Sequence, residues 1–143
     1  MADITTVDVP EFLEDKQEYD TQYRRTAKWD PATGDFVRDG ANKIKECSGE
    51  EGYMIWCLKT AMTERYACLA YPDEIGVEME KALSDDEADV VESQVERTIT
   101  EALEVNPRTE RVYGFEFTWD GEEMHVSFKV KGVEWDDIFE ISI

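Results

Sequence analysis

Arg111-Val112-Tyr113-Gly114-Phe115-Glu116-Phe117-Thr118-Trp119 is followed by Asp120-Gly121, and then by Met124-His125-Val126-Ser127-Phe128-Lys129-Val130-Lys131. Both runs alternate apolar and polar residues with period two, the pattern of half-buried strands. Asp-Gly between them is hairpin turn chemistry. The spacing puts Tyr113, Phe115, Phe117 and Trp119 on one face of the first strand. It puts Met124, Val126, Phe128 and Val130 on one face of the second, with His125, Ser127, Lys129 and Lys131 opposite. After Gly132 a third strand, over about Trp135 to Ile143, alternates Phe139, Ile141 and Ile143 against Glu140 and Ser142. These residues predict an antiparallel meander.

Working back from it, Asn106-Pro107 ends a helical pattern, because the residue before a proline is pushed out of the α region. That pattern runs from about Asp85 to Leu103 and carries Ala88, Val91, Val95, Ile99 and Ala102 on one stripe. Glu92, Glu96, Arg97 and Glu101 form its wet face. Ser84-Asp85-Asp86-Glu87 reads as a capping box at its start. An earlier helix opens at Ser48, with Glu50 and Glu51 at its positive end. It runs to about Thr63 on a stripe of Met54, Cys57, Leu58, Ala61 and Met62, widened by Ile55 and Trp56, so it is expected to be buried around much of its circumference. Between the helices, Arg65 to Tyr71 is short and apolar and reads as a strand or extended segment, ended by Pro72, Asp73 and Gly76. Upstream, Asp30-Pro31-Ala32-Thr33-Gly34 is turn chemistry between residues 22–29 and 35–38, a short hairpin. Gly40 to Ser48 reads as a loop. The fold class is therefore α+β: two main helices packed on an antiparallel β-meander, with a short N-terminal hairpin.

Residues 1–20 are set apart as an acidic arm before a single domain at 21–143. The arm carries seven acidic residues (Asp3, Asp8, Glu11, Glu14, Asp15, Glu18, Asp20) against Lys16, too little apolar surface to bury alone. Its Pro10-Glu11-Phe12-Leu13 patch could order against a partner, or the arm could be a solvated terminus.

The whole chain has 35 Asp and Glu against 15 Lys and Arg, a net charge of -20. Nucleic acid and anionic membrane surfaces both need cationic contacts and are excluded as partners. Solubility accounts for the charge; docking on basic protein surfaces is the sharper alternative. No run approaches the roughly 20 apolar residues of a membrane span. The start lacks the basic and apolar regions of a signal peptide, so synthesis in a cytoplasm is expected. Cys47, Cys57 and Cys68 are odd in number with no C-x-x-C pair. They read as buried free thiols, with no metal or cofactor role.

No catalytic constellation emerges. A glycoside hydrolase would need two carboxylates at a set separation, and in so acidic a chain pairs occur everywhere. His125, the lone histidine, lies on the polar face of the hairpin with no nucleophile at a recognisable spacing. A generic acidic binding module remains the other alternative.

Thr63-Glu64-Arg65-Tyr66, then Tyr71, then Gly76-Val77-Glu78, resemble a motif of baseplate wedge and sheath-initiator proteins. These come from contractile phage tails and tailocins, and include the "lysozyme-like" wedge protein group of T-even phages. The order of parts is similar over about 22–143, ending in Val112-Tyr113-Gly114-Phe115-Glu116-Phe117. The resemblance implies a structural protein, not an enzyme. Its implied partners are baseplate wedge proteins and the sheath protein. It implies six copies per baseplate, assembly in the bacterial host cytoplasm and a place in the virion tail or tailocin particle. In that family a Glu-Pro-Arg element after the second helix is associated with contacts to the wedge core bundle. Here Pro107 and Arg108 match it and Asn106 stands where the Glu would be.

Arg65, just past an apolar helix, needs a carboxylate if buried; Glu64, Glu78 and Asp73 are all near in sequence. With Glu64 and Gly76 it is assigned a fold-holding role. The chain ends inside the third predicted strand. If that strand is a sheet edge, its open backbone groups invite another strand, with Asp136, Asp137 and Glu140 as gatekeepers against self-pairing. Sheath subunits of the family exchange β-arms. Residues 133–143, with Trp135, Ile138, Phe139, Ile141 and Ile143 as the contact set, are therefore expected to receive strands from the first sheath subunit. Phe12 and Leu13 are expected to contact a partner too. Deleting 136–143 is expected to leave a baseplate that cannot start sheath.

Overall fold

A computed structural model describes residues 24–143; the arm, with Phe12 and Leu13, lies outside them. The centre is a three-stranded antiparallel sheet of β5 (Thr109–Asp120), β6 (Glu123–Gly132) and β7 (Ile138–Ser142), in that spatial order. Two helices, α1 (Gly49–Ala61) and α3 (Ala88–Glu104), cover one face, and a single turn, α2 (Met79–Ala82), sits between them in the chain. The architecture is α+β. At the N-terminal end β2 (Trp29–Asp30) pairs with β3 (Asp35–Phe36), while β1 (Thr26–Ala27) pairs with β4 (Glu46–Cys47). The stretch read as a plain loop, 40–48, therefore contains β4, and Ile44 bridges Arg38. Lys59 of α1 stands over both Trp29 and Phe36, tying this hairpin to the helix.

On β6 the faces divide as the alternation requires: Val126, Phe128 and Val130 are buried. On β5 the alternation is interrupted. Tyr113 pairs with Lys129 and Glu116 with Ser127, so two residues of β5, Gly114 and Phe115, face one of β6. Gly114 has φ +67, a bulge conformation that costs a side-chain-bearing residue about 1–2 kcal/mol. The extra residue reverses the faces. Val112, Phe115 and Phe117 pack on the core, whereas Tyr113 is carried to the outer face, where Arg111 stacks on its ring. The expected common face of Tyr113, Phe115, Phe117 and Trp119 is corrected accordingly. Trp119 reaches back to α3, donating its indole N–H to Glu92 at 2.8 Å.

The α3 stripe buries Val91, Val95, Ile99 and Ala102, with Thr98 and Leu103 beside them, but Ala88, which the stripe included, is the first residue of the helix and is exposed. Its start is three residues later than expected. Ser84 makes no cap; its hydroxyl bonds the carbonyl of Lys81 and closes α2 instead. On α1, Met62 lies past the helix end and is exposed. The largest fully buried side chain is Tyr53, which the stripe did not include. Its hydroxyl pairs with Thr109 Oγ1 at 2.6 Å, and its ring lies 5.0 Å from that of Trp135. Tyr53 thus joins α1 to the start of β5 and to the β6–β7 connection.

The predicted strand at 65–71 is absent. Residues 62–76 form successive turns, with Tyr66 at φ +67 and with Tyr66, Leu69 and Tyr71 exposed. Cys68 is exposed on this loop, contrary to the expectation of three buried thiols, while Cys47 and Cys57 are buried. Burial pushes the Cys57 thiol up to about 12, so it stays protonated at neutral pH.

Candidate functional site

Three sets of residues were singled out by sequence, and the fold treats them differently. Arg65, Glu64 and Gly76 come together in one clamp that closes the 62–76 loop. The Arg65 side chain, 13% exposed, donates from Nε to the carbonyl of Gly76 at 3.1 Å and faces Glu78 at 3.9 Å. Glu78 is the carboxylate that Arg65 meets. Glu64 accepts the backbone N–H of Met79 at 3.0 Å and of Glu80 at 3.4 Å, so it satisfies the donors of α2. Gly76 has φ +99, and a Cβ there would stand 2.5 Å from the carbonyl oxygen of Thr63. Only glycine lets these two backbone stretches approach so closely.

Asn106, Pro107 and Arg108 make the corner between α3 and β5. Asn106 Oδ1 accepts the N–H of Arg108 at 3.0 Å, a local turn bond. Pro107 is exposed. The Arg108 guanidinium, 15% exposed, turns inward toward Glu134 at 3.7 Å. Its carboxylate neighbour thus comes from the β6–β7 connection, not from the residue before Pro107.

The third set is the last strand, which begins at Ile138 and not at Trp135. Trp135 belongs to the connection and fills the space over Gly132, where a Cβ would lie 2.6 Å from its ring. Phe139, Ile141 and Ile143 face the core. Ile143 exchanges both backbone bonds with Val126 at 2.9 Å each. Antiparallel pairs alternate, so Ile141 with Phe128 and Phe139 with Val130 are the other bonded pairs. The N–H and C=O groups of Ile138, Glu140 and Ser142 consequently point away from β6. Among the described residues no other strand lies beyond β7. The side chains at these three positions are exposed. Glu140 and Ser142 were absent from the predicted contact set. Finding them required knowing which β7 residues bond to β6, which depends on strand order and not on hydrophobicity.

The ground next to this edge is acidic. Desolvation and the adjacent Asp137 carboxylate hold Glu50 above the usual carboxylate range. A gap of about 180 Å³ opens along the edge, walled by Met54, Ile55 and Leu58 of α1, by Trp29 and Pro31 of the hairpin, and by Ile141. A second groove, of about 470 Å³, lies at the far end of the sheet among Met62, Met79, Leu83, Met124 and Ile143.

Among the described residues no cluster of His, Cys, Asp or Glu is arranged to hold a metal ion, and no helix is long and apolar enough to cross a membrane. His125 lies exposed on the outer sheet face, as the alternation implied.

Among curated proteins none matches the chain. The family model for the contractile injection system sheath initiator matches residues 25–134, from the N-terminal hairpin to the second residue of the β6–β7 connection, before β7. That span holds the clamp, both main helices and the β5–β6 hairpin, and the chain accordingly belongs to the contractile injection system sheath initiator family.

Proposed function

We propose that this protein joins the baseplate wedge to the first sheath ring and starts sheath assembly by accepting a strand at the free edge of β7. Family membership makes it a structural component of a contractile tail particle that works with sheath and baseplate proteins. The observation that carries the finer statement is the outward-pointing backbone of Ile138, Glu140 and Ser142, a row of donors and acceptors that no strand among the described residues pairs with. Strand addition uses main-chain bonds for affinity, so the acceptor needs no special side chain at these positions. The exposed Pro107 corner lies off this edge, on the α3–β5 connection, and is offered as the wedge-facing side. Arg108 and Asn106 hold its shape. Six copies per baseplate, with assembly in the host cytoplasm, complete the proposal.

Hydrolysis has no comparable support. Glu50, the carboxylate held above its usual range, stands beside Asp137 next to the strand edge. Glu64, in the larger groove, is occupied by the backbone of α2.

Proline at Glu140 tests the proposal. The Glu140 N–H faces outward, so proline leaves the β6 ladder intact while blocking an added strand. Deleting 136–143 would be less informative, because it also removes Phe139 and Ile141 from the core. Baseplates carrying Glu140→Pro are expected to assemble without sheath when viewed by electron microscopy. Sheath of normal length on such baseplates would refute strand acceptance at β7.

A further inference from the structure

The gap beside β7 is placed where an added strand would need it. A strand pairing with β7 lies about 4.8 Å beyond it, and every second side chain points to the same side as Phe139, Ile141 and Ile143. On that side, next to Ile141, the described residues leave the gap open. Met54, Ile55 and Leu58 of α1 form the floor of the gap, and Trp29 and Pro31 form its far wall. A volume of about 180 Å³ suits one aromatic ring or one branched aliphatic side chain; an apolar cavity of ~150 Å³ holds benzene. On the outer side the edge presents Glu140, across from Lys129 of β6; Asp136 and Asp137 lead into the strand, and Glu50 of α1 stands beside Asp137, so carboxylates outnumber that cation there.

We infer that the β7 edge and this gap form one acceptor site for a partner strand that seats a single large apolar side chain between Trp29, Met54, Leu58 and Ile141 and carries Lys or Arg on its opposite face. The inference rests on the strand-acceptor reading and adds the chemistry of the strand. Main-chain bonding alone would accept almost any sequence. The anchor selects for one apolar residue in register, and the acidic rim selects for cations, since opposite charges across neighbouring strands attract and like charges repel. The chain's own Phe12-Leu13 is a poor occupant, because Glu11, Glu14 and Asp15 would come against that rim. The β2–β3 hairpin gains a purpose: it is the wall that turns an open edge into a socket.

The test uses the full isotopically labelled chain and a nine-residue blocked peptide with Lys on one face and Thr on the other. The central Thr is replaced by Phe, Leu or Ala. The Phe peptide is expected to bind about 10- to 100-fold tighter than the Ala peptide, the range for burying one large apolar side chain. Its binding should shift the amide signals of Ile138, Glu140 and Ser142 and the indole N–H of Trp29. Met54→Trp, which fills the gap from α1, should reduce the Phe peptide to the affinity of the Ala peptide and leave the latter unchanged. The peptide series leaves the protein's sequence untouched, so it remains decisive if that variant misfolds.

Equal affinities with shifts along β7 would overturn the anchor while leaving strand acceptance standing. No binding by any peptide, or shifts confined to another surface, would overturn the anchor as well. Normal sheath on Glu140→Pro baseplates is the separate result that removes the reading beneath it. A double change in the full chain, Phe12→Ser with Leu13→Ser, should leave peptide affinity unaltered. A tenfold tightening would show that the arm occupies the socket and would refute a partner strand as its occupant.

Discussion

The sheet has two edges, and they are built differently. β5 is twelve residues long, yet its pairing with β6 is interrupted at Glu110 and again at Gly114. Such irregularities twist an edge and spoil it as a template for another strand. Its outward backbone groups also belong to residues such as Val112 and Phe117, whose side chains pack into the core beside α3. β7 has five residues, unbroken register with β6, and outward backbone groups on residues whose side chains are in water. One edge is closed by its own irregularity, while the other is regular and open. Edge length is therefore a poor guide to assembly competence; regular register and freedom of the backbone decide it.

Moving a proline by one residue along β7 should give the largest contrast in stability. Glu140→Pro removes an outward N–H that β6 does not use and should change stability by no more than about 1 kcal/mol, the scale of a proline placed where its N–H is unbonded. Ile141→Pro removes a donor that holds β7 to β6 and disrupts a buried side chain. It should cost about 3 kcal/mol or more, the typical penalty for proline inside a hydrogen-bonded element. Chemical denaturation of both variants checks this. Equal losses would mean that the assignment of inward and outward groups along β7 is wrong.

On the other edge, Gly114→Ala should destabilise the protein by about 1–2 kcal/mol through its positive φ alone. The space is adequate, since an added Cβ would stand 3.4 Å from the Lys129 side chain, an ordinary contact. Deleting Gly114 goes further. It removes the extra residue without turning its neighbours over, since Val112 and Phe115 still face the core and Tyr113 the outer face, and should leave a straighter edge that pairs with a second copy at high concentration. A deletion variant that stays monomeric in sedimentation at high concentration would mean that the bulge has no part in closing this edge.

The bulge also marks where the sequence stopped being legible. The β5–β6 hairpin, the buried face of β6 and the α3 stripe followed from periodicity and the Asp120-Gly121 turn, because burial on one side imposes a period that composition displays. Gly114 broke the period silently: Phe115 and Phe117 remained apolar while the strand before them had turned over. A glycine inside a strand is the one mark of it in the sequence. The Arg65–Gly76–Glu78 clamp was visible only as a need for a carboxylate, since the choice among Glu64, Glu78 and Asp73 depends on a loop closed by backbone contact. Residues 65–71 looked like a strand because they are apolar, yet they lie exposed as turns pinned at both ends by that clamp. The socket beside β7 was illegible, being assembled from three segments distant in sequence.

Both edges are tied to α1 through Tyr53, which reaches Thr109 at the start of β5 and Trp135 before β7. Tyr53→Phe keeps the ring and removes the hydroxyl bonded to Thr109, and should cost about 1 kcal/mol, the net worth of one buried hydrogen bond. Peptide binding at β7 should be unchanged, because the contact to Trp135 is made by the ring. If Tyr53→Phe weakens binding at β7 while β5 keeps its amide protection, the hydroxyl serves the open edge and the two edges are coupled through α1.

The smallest effect belongs to the first irregularity of β5. There Glu110 meets Lys131 at 2.7 Å, and the hydrogen bond and charge of that lysine hold its carboxyl below the ordinary range. A carboxylate whose folded value is depressed adds stability that is present above its unfolded value and is lost as pH falls through the folded one. The pair is exposed to solvent, so salt and hydration reduce what it contributes. The expected signature is therefore a shift in titration and not a change in folding. The Glu110 side-chain carboxyl signal should titrate below an ordinary glutamate in the native chain and return to the ordinary range in Lys131→Gln. An unchanged midpoint in that variant would assign the depression to Arg111, the weaker of its two cationic neighbours, and would make the first irregularity of β5 independent of the brace from β6.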